Sequence, residues 1–304
     1  MYCARVCPPV PSFTEPLNVH VVGLQREPEF QSAVCAAQTL KLSFPSKFLD
    51  PTVTPYLEFA WNEYLEEKKK ELKGETWGFS SKVMCFINGR LLGDDKDLVK
   101  WANEHWGYQD FRPLSLYIAL AEDFCSRLMK DTKNTFVFMD IAIDDEPSGR
   151  LLFELFSNIC PKTCENFREL CQLPETISTD CRELNYKGTT FHRIVKNGWI
   201  QAGGIPTGVG EENESIFGGL FEDENFAVPH NKRGILGMAN KGPHTNGSHF
   251  YITLKATPYM DRKYVAFGQL IEGTEVLRKL EALPTINERP IKQCVVTECR
   301  IYNP

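Results

Sequence analysis

Between Tyr186 and Val195 the chain reads Tyr-Lys-Gly-Thr-Thr-Phe-His-Arg-Ile-Val, and Gln201-Ala202-Gly203 follows shortly after. This sets Arg193 inside a strand that is otherwise apolar and aromatic. An arginine never loses its charge and offers its donors in a fixed fork. It belongs among Phe, Ile and Val when something neutral and polar comes to meet it. A surface ion pair is the preferred reading of an isolated strand arginine; inside Phe191-His192-Arg193-Ile194-Val195 it is the weaker one. A second distinctive block lies downstream at Gly234-Ile235-Leu236-Gly237-Met238-Ala239-Asn240-Lys241-Gly242-Pro243-His244-Thr245-Asn246-Gly247-Ser248.

At 304 residues the chain exceeds one average domain, and two is the natural expectation. A formal net charge of -6 argues against nucleic acid as the main partner, because phosphate binding needs a basic face. No apolar run approaches the roughly 20 residues needed to span a bilayer, so no membrane role is expected. The first fifteen residues carry one Arg, three prolines and no apolar core segment, which does not read as a secretory signal. The expected setting is therefore cytoplasmic. The eleven cysteines are read as reduced, small apolar residues. Cys160 and Cys164, like Cys3 and Cys7, lie four apart with no His or further Cys pair to complete a zinc site, so no metal is expected.

After an N-terminal extension (1–17), residues 18–112 alternate strand and helix. Val19 to Val22 reads as a strand and Pro28 to Leu40 as a helix opened by proline and acidic residues. Tyr56 to Lys73 is a second helix with Trp61, Tyr64, Leu65 and Leu72 at helical spacing. Its charge run Glu66 to Glu71 is a solvated face. Asn88-Gly89 between Val83–Ile87 and Arg90–Leu92 is a strong hairpin signal. A helix from Asp94 to Trp106 closes the unit, with Leu98, Trp101, Ala102 and His105 inward. This order resembles a thioredoxin-type α/β domain. The redox chemistry which that resemblance implies is missing. No Cys-x-x-Cys follows the first strand, where only Cys35 lies near, and Ser80-Ser81-Lys82 stands where a proline is usual. A docking module for an unidentified protein partner is the expectation, with an oxidoreductase a poor second.

Residues 113–134 form a linking helix and linker, with Leu114, Tyr117, Ile118, Ala121, Phe124, Cys125 and Leu128 on one apolar stripe. From 135 to 304 the pattern turns to short strands, such as Phe136 to Ile143 and Gly149 to Phe156. Two helices accompany them, Pro161 to Leu173 and Thr274 to Leu283. Many short strands and two helices suggest a closed antiparallel barrel with plugged ends.

The two blocks resemble, in order and spacing, the signature of the cyclophilin-type peptidyl-prolyl isomerases, and the resemblance covers about Asn134 to Tyr302. It implies a closed antiparallel barrel of eight strands with two capping helices. It also implies binding of proline-containing protein segments. Rotating a prolyl peptide bond crosses a barrier near 20 kcal/mol without breaking any bond. The catalyst therefore needs no nucleophile, metal or cofactor. It needs a dry hollow gripping the proline ring and a fixed donor for the twisted amide.

By resemblance, Arg193 is that donor and Gln201 orients it. Met238, Ala239 and Asn240 pair with the peptide, Phe250 is the kept aromatic, and Met260 is a pocket wall. The departures cluster here too. Counting without gaps, Gly198 falls at the wall phenylalanine and Trp199 at a Met or Leu position, and a local shift of the strand would let Trp199 refill the wall. Tyr251 replaces a second pocket phenylalanine and brings a hydroxyl that wants a partner. His249 stands for Gln, Tyr264 for His, and Tyr259 for the Trp of cyclosporin-sensitive members, which implies weak or no cyclosporin binding. The loop from Gln172 to Asn185 is long and bears Cys181. The preferred expectation is a binding module with weak or lost isomerase activity, acting as scaffold in a larger assembly of cytoskeletal or ciliary kind. The alternative is an active isomerase assisting protein folding.

Overall fold

The structure, a computed structural model, describes residues 16–172, 184–206 and 211–304. These fall into two compact units, the first ending at Asp131 and the second running from Thr132 to Asn303. The long loop bearing Cys181 lies mostly outside the described residues, as do Cys3 and Cys7.

The first unit runs β1 (Val19–Leu24), α1 (Pro28–Ser43), β2 (Thr52–Tyr56), α2 (Glu58–Leu72), β3 (Val83–Ile87), β4 (Arg90–Gly93), α3 (Asp95–Trp106) and α4 (Leu114–Thr132). Its sheet has the order β2-β1-β3-β4, with β1 parallel to β2 and antiparallel to β3. Successive strand side chains point to opposite faces, and both faces here are covered. Val19, Val21, Val83 and Cys85 pack with Phe30 and Leu40 of α1 and Leu98 and Ala102 of α3. Val22, Met84 and Phe86 pack with Trp61 of α2. Asn88 and Gly89 take φ values of 49° and 78°, the left-handed pair that a two-residue hairpin requires. α4 packs its Phe124 ring against Phe30 at 6.1 Å.

Two local expectations are corrected. The second helix starts at Glu58, because Tyr56 ends a strand. Pro55 disguises that strand in the sequence, yet at the sheet edge its missing N–H breaks no ladder bond. On α3 it is Trp106 that is buried, while His105 stacks on Trp101 with Nδ1 3.0 Å from the Trp101 carbonyl oxygen.

The second unit contains β5 (Thr135–Ile143), β6 (Glu146–Leu155), α5 (Pro161–Leu170), β7 (Arg193–Val195), β8 (Trp199–Ala202), β9 (Ile205–Pro206), β10 (Glu211–Glu212), β11 (Ile235–Met238), β12 (Phe250–Thr253), β13 (Ala266–Glu272), α6 (Thr274–Ala282), β14 (Thr285–Ile286), β15 (Arg289–Pro290) and β16 (Cys294–Tyr302). Eight of these strands form one sheet in the order β16-β5-β6-β13-β11-β12-β8-β7. All its pairings are antiparallel. The eight antiparallel strands expected from the sequence are present and form a curled half-barrel. β7 is only three residues long and shares no ladder with β16. The chain just before it touches β16 through the isolated bridge Thr190↔Val295, flanked by Phe191 N–H on the Cys294 oxygen at 2.9 Å.

Phe167 of α5 sits at the centre of the interior, with its ring 5.0–6.2 Å from those of Tyr186, Phe250, Phe267 and Phe153. α6 adds Val276, Leu277 and Leu280. The Cys160 and Cys164 thiols donate to the carbonyl oxygens of Ala266 and Phe267, as core residues do. Among the described residues no helix is long and apolar enough to cross a membrane.

Asp94 caps α3 by accepting from the N–H groups of Lys96 (2.9 Å) and Asp97 (3.1 Å), while Asp97 accepts from the Asp94 N–H. Asp94→Ala is expected to cost about 1 kcal/mol in denaturant unfolding of the full chain, and Asp94→Asn a few tenths at most.

Candidate functional site

Strand register decides which of the sequence-derived site residues can meet. Arg193 lies opposite Gln201, Gln201 opposite Tyr251, and Tyr251 opposite Gly237, so the four form one row across β7, β8, β12 and β11. Trp199, two residues before Gln201, shares that face. The intervening row of Ile194, Ile200, Ile252 and Leu236 points the other way, into the core. Met238 and Phe250 belong to that inner face, opposite one another and fully buried. Their placement at the site is therefore corrected. Phe250 packs on Phe167, Tyr186 and Phe191 instead. Matching motif positions identified them, but alternation turns them inward.

On the outer face Ala239, Tyr251 and Met260 form a small cluster, and Trp199 and Tyr264 pack against it. The Tyr264 ring meets Tyr251 edge-on at 5.9 Å and 86°. This leaves Tyr251 1% and Met260 2% exposed, so the surface expected to receive a ring is already covered. No strand slip is needed to aim Trp199 here. Gly198 closes the turn between β7 and β8, its N–H on the Val195 oxygen at 2.9 Å, with Asn197 at φ 59°. The missing wall phenylalanine corresponds to a turn residue, and the indole takes the face by ordinary alternation.

The Tyr251 hydroxyl finds its partner in His230, which the sequence reading missed. The phenol oxygen is 2.6 Å from His230 Nε2, and His230 Nδ1 is 2.7 Å from Asp261 Oδ1. The His230 backbone N–H donates to the same carboxylate oxygen at 2.8 Å. A carboxylate only accepts, so Nδ1 carries the proton and Nε2 accepts from Tyr251. Burial is the main force holding the His230 pKa below its ordinary value, and the two bonds from His230 hold Asp261 low. Gly237 completes the arrangement. A Cβ there would lie 2.2 Å from the Tyr251 hydroxyl, so only glycine leaves room for this ring. Residues 21 and 31 positions apart carry no local sequence signal for such a chain.

Arg193 is placed differently from expectation. Its side chain is 44% exposed, Nε donates to Glu288 Oε2 at 2.7 Å, and its guanidinium carbon lies 5.6 Å from the Trp199 ring centre. The expected burial in an apolar hollow is corrected to a rim position: β7 is the outermost strand of the sheet, and a carboxylate stands beside it. Gln201 is half-buried next to it in the row.

Ala239 N–H is used by the His249 carbonyl at 2.9 Å. The Asn240 side chain turns to its own loop, accepting from Gly242 N–H at 3.3 Å and approaching Asn246 Oδ1 at 3.4 Å. Tyr259 stands out at 56% exposure on the short helical turn Pro258–Met260. His249 is half-buried, its ring 5.2 Å from that of His192. Burial first, then repulsion from His192 and Lys241, pushes its pKa down to about 4. It is neutral at pH 7, a packing residue rather than an acid.

The sequence profile described as "Cyclophilin type peptidyl-prolyl cis-trans isomerase/CLD" matches residues 138–301, which span the whole site. The chain belongs to this cyclophilin family. It is 60% identical over 289 residues to the human protein named "Probable inactive peptidyl-prolyl cis-trans isomerase-like 6", covering 95% of this chain and 93% of that one. The mouse protein of the same name is 56% identical over 296 residues, with 97% and 93% covered. The mouse NK-tumor recognition protein is 48% identical over 164 residues, which is 53% of this chain and 11% of that protein. This chain's similarity to the isomerase-like 6 proteins thus takes in both units described above, whereas the cyclophilin match lies within the second unit.

The depressed His249 pKa carries a sign. The unfolded ring takes a proton near pH 6.5 and the folded ring only near pH 4, so the stability of the neutral form is complete above about 6.5. It is lost as pH falls through that window, by on the order of 2–3 kcal/mol at pH 4. His249→Gln is expected to flatten this acid limb in unfolding experiments run from pH 7 to 4, with little change at pH 7.

Proposed function

We propose that the chain is a cyclophilin-type binding module for proline-containing protein segments, with weak or lost isomerase activity and a scaffold role in a larger assembly. The single observation that carries the loss of catalysis is the covered hollow. Tyr251 and Met260 are 1% and 2% exposed beneath Trp199 and Tyr264. Isomerisation is accelerated only by contacts stronger in the twisted amide than in the planar one. A proline ring held outside the cluster cannot be gripped through that change, and an arginine engaged with Glu288 is not aimed at the amide. What remains is a ledge of Trp199, Arg193 and Gln201, which offers an aromatic face to a pyrrolidine ring and polar groups to its backbone.

The first unit supports the scaffold half of the reading. Its cysteine thiols at 35 and 85 have pKa values pushed up by burial, the opposite of what a reactive dithiol needs. A thioredoxin-like docking module for an unidentified partner protein fits that chemistry better than an oxidoreductase.

Turnover of an alanyl-proline tetrapeptide by the full chain is expected to stay within about twofold of the spontaneous rate. A clear enhancement that Arg193→Ala abolishes would restore the active-isomerase reading. Cyclosporin is expected to bind weakly or not at all, since Tyr259 is solvent-facing and has no indole N–H. Nanomolar affinity in a calorimetric titration contradicts this.

A further inference from the structure

We propose that Glu288 is a positioning residue that withholds Arg193 from a bound segment, an inference that rests on the binding reading given above. The hairpin β14–β15 pairs Ile286 with Arg289 and turns through Asn287 and Glu288, whose φ values are 49° and 65°. The hairpin of the first unit makes the same left-handed turn with Asn88 and Gly89. Glycine takes the second position without steric cost, whereas a glutamate there has its Cβ against the backbone. The glutamate nevertheless stands there, and both its ends engage β7. Its carbonyl oxygen accepts from the Ile194 N–H at 2.7 Å, and its carboxylate accepts from Arg193 Nε, also at 2.7 Å.

The backbone bond fixes the hairpin tip on the strand, and the side chain then closes on the neighbouring guanidinium. A charge-assisted bond from Nε orients the whole planar fork. A ligand carbonyl seeking that fork must compete with a full negative charge already seated on it. Both partners are nearly half-exposed, 44% for Arg193 and 46% for Glu288, so the competition is screened by water and salt. That exposure limits the effect of releasing the clamp to about three- to fivefold.

The test uses the full chain, its Glu288→Gln and Glu288→Gly variants, and each of these combined with Arg193→Ala. Phenylglyoxal modification of Arg193, followed by peptide mass spectrometry, reads the clamp without any ligand. The expected result is about three- to fivefold faster modification in both Glu288 variants at low salt. Added sodium chloride should bring the unmutated chain towards the variant rate and leave the variants unchanged, which a merely structural role for Glu288 would not produce. In parallel, the alanyl-proline tetrapeptide should bind the Glu288 variants about three- to fivefold more tightly, with no gain where Arg193 is also replaced. Equal Arg193 reactivity with and without the Glu288 carboxylate overturns the proposal. So does equal peptide affinity, or a gain that survives loss of Arg193. Faster modification with no peptide bound by any form supports the clamp and overturns the binding reading instead.

Discussion

A phenolic hydroxyl buried at the centre of the site constrains much of what surrounds it. Tyr251 has no access to water, so its O–H must be satisfied within the protein or cost about 1–3 kcal/mol. His230 satisfies it, and Asp261 fixes the tautomer that lets it do so. The ring's position across the sheet requires the missing side chain of Gly237. Once seated there, Tyr251 gives Trp199, Tyr264 and Met260 a flat surface to pack on. A phenylalanine would make no such demand on its neighbours. The extra oxygen therefore ties together strand, loop and helical turn into one closed apolar cluster.

That closure bears directly on the chemistry of the family. Prolyl isomerisation has no proton or electron to move, so its catalysts work through shape and one well-placed donor. Here the shape is filled and the donor is paired. The Asp261–His230–Tyr251 chain has the order of groups of a proton relay, yet the phenol is buried and its pKa is raised by burial. His249 is likewise held neutral by burial and by the neighbouring His192 and Lys241. Tyr251, His230 and His249 thus serve the packing of the fold rather than proton transfer.

The first unit shows the same economy by a different route. Its sheet is covered on both faces, by α1 and α3 on one side and α2 on the other, and its described cysteines, Cys35, Cys85 and Cys125, are small core or near-core residues. Burial is the largest influence on the Cys35 and Cys85 thiols and pushes their pKa values up.

Much was legible in the residues themselves, wherever the cause is local. Asn88-Gly89 set its hairpin and Pro28 opened α1, because turn and helix-start chemistry act within a few residues. The cyclophilin family, too, was readable from two motif blocks, since Arg193, Gln201 and the run from Gly234 lie in fixed order. Tertiary structure decided the rest. Pro55 hid an edge strand whose ladder partner is a parallel neighbour far away in sequence. Alternation along β11 and β12 turned Met238 and Phe250 inward while it brought Trp199 and Tyr251 to one face. Glu288 reached Arg193 across 95 residues, and His230 reached Tyr251 across 21. Hydrogen bonds and packing act over ångströms, whereas sequence records only separation along the chain. Motif order therefore fixed the family, and the register of the folded sheet fixed which of its residues face a ligand.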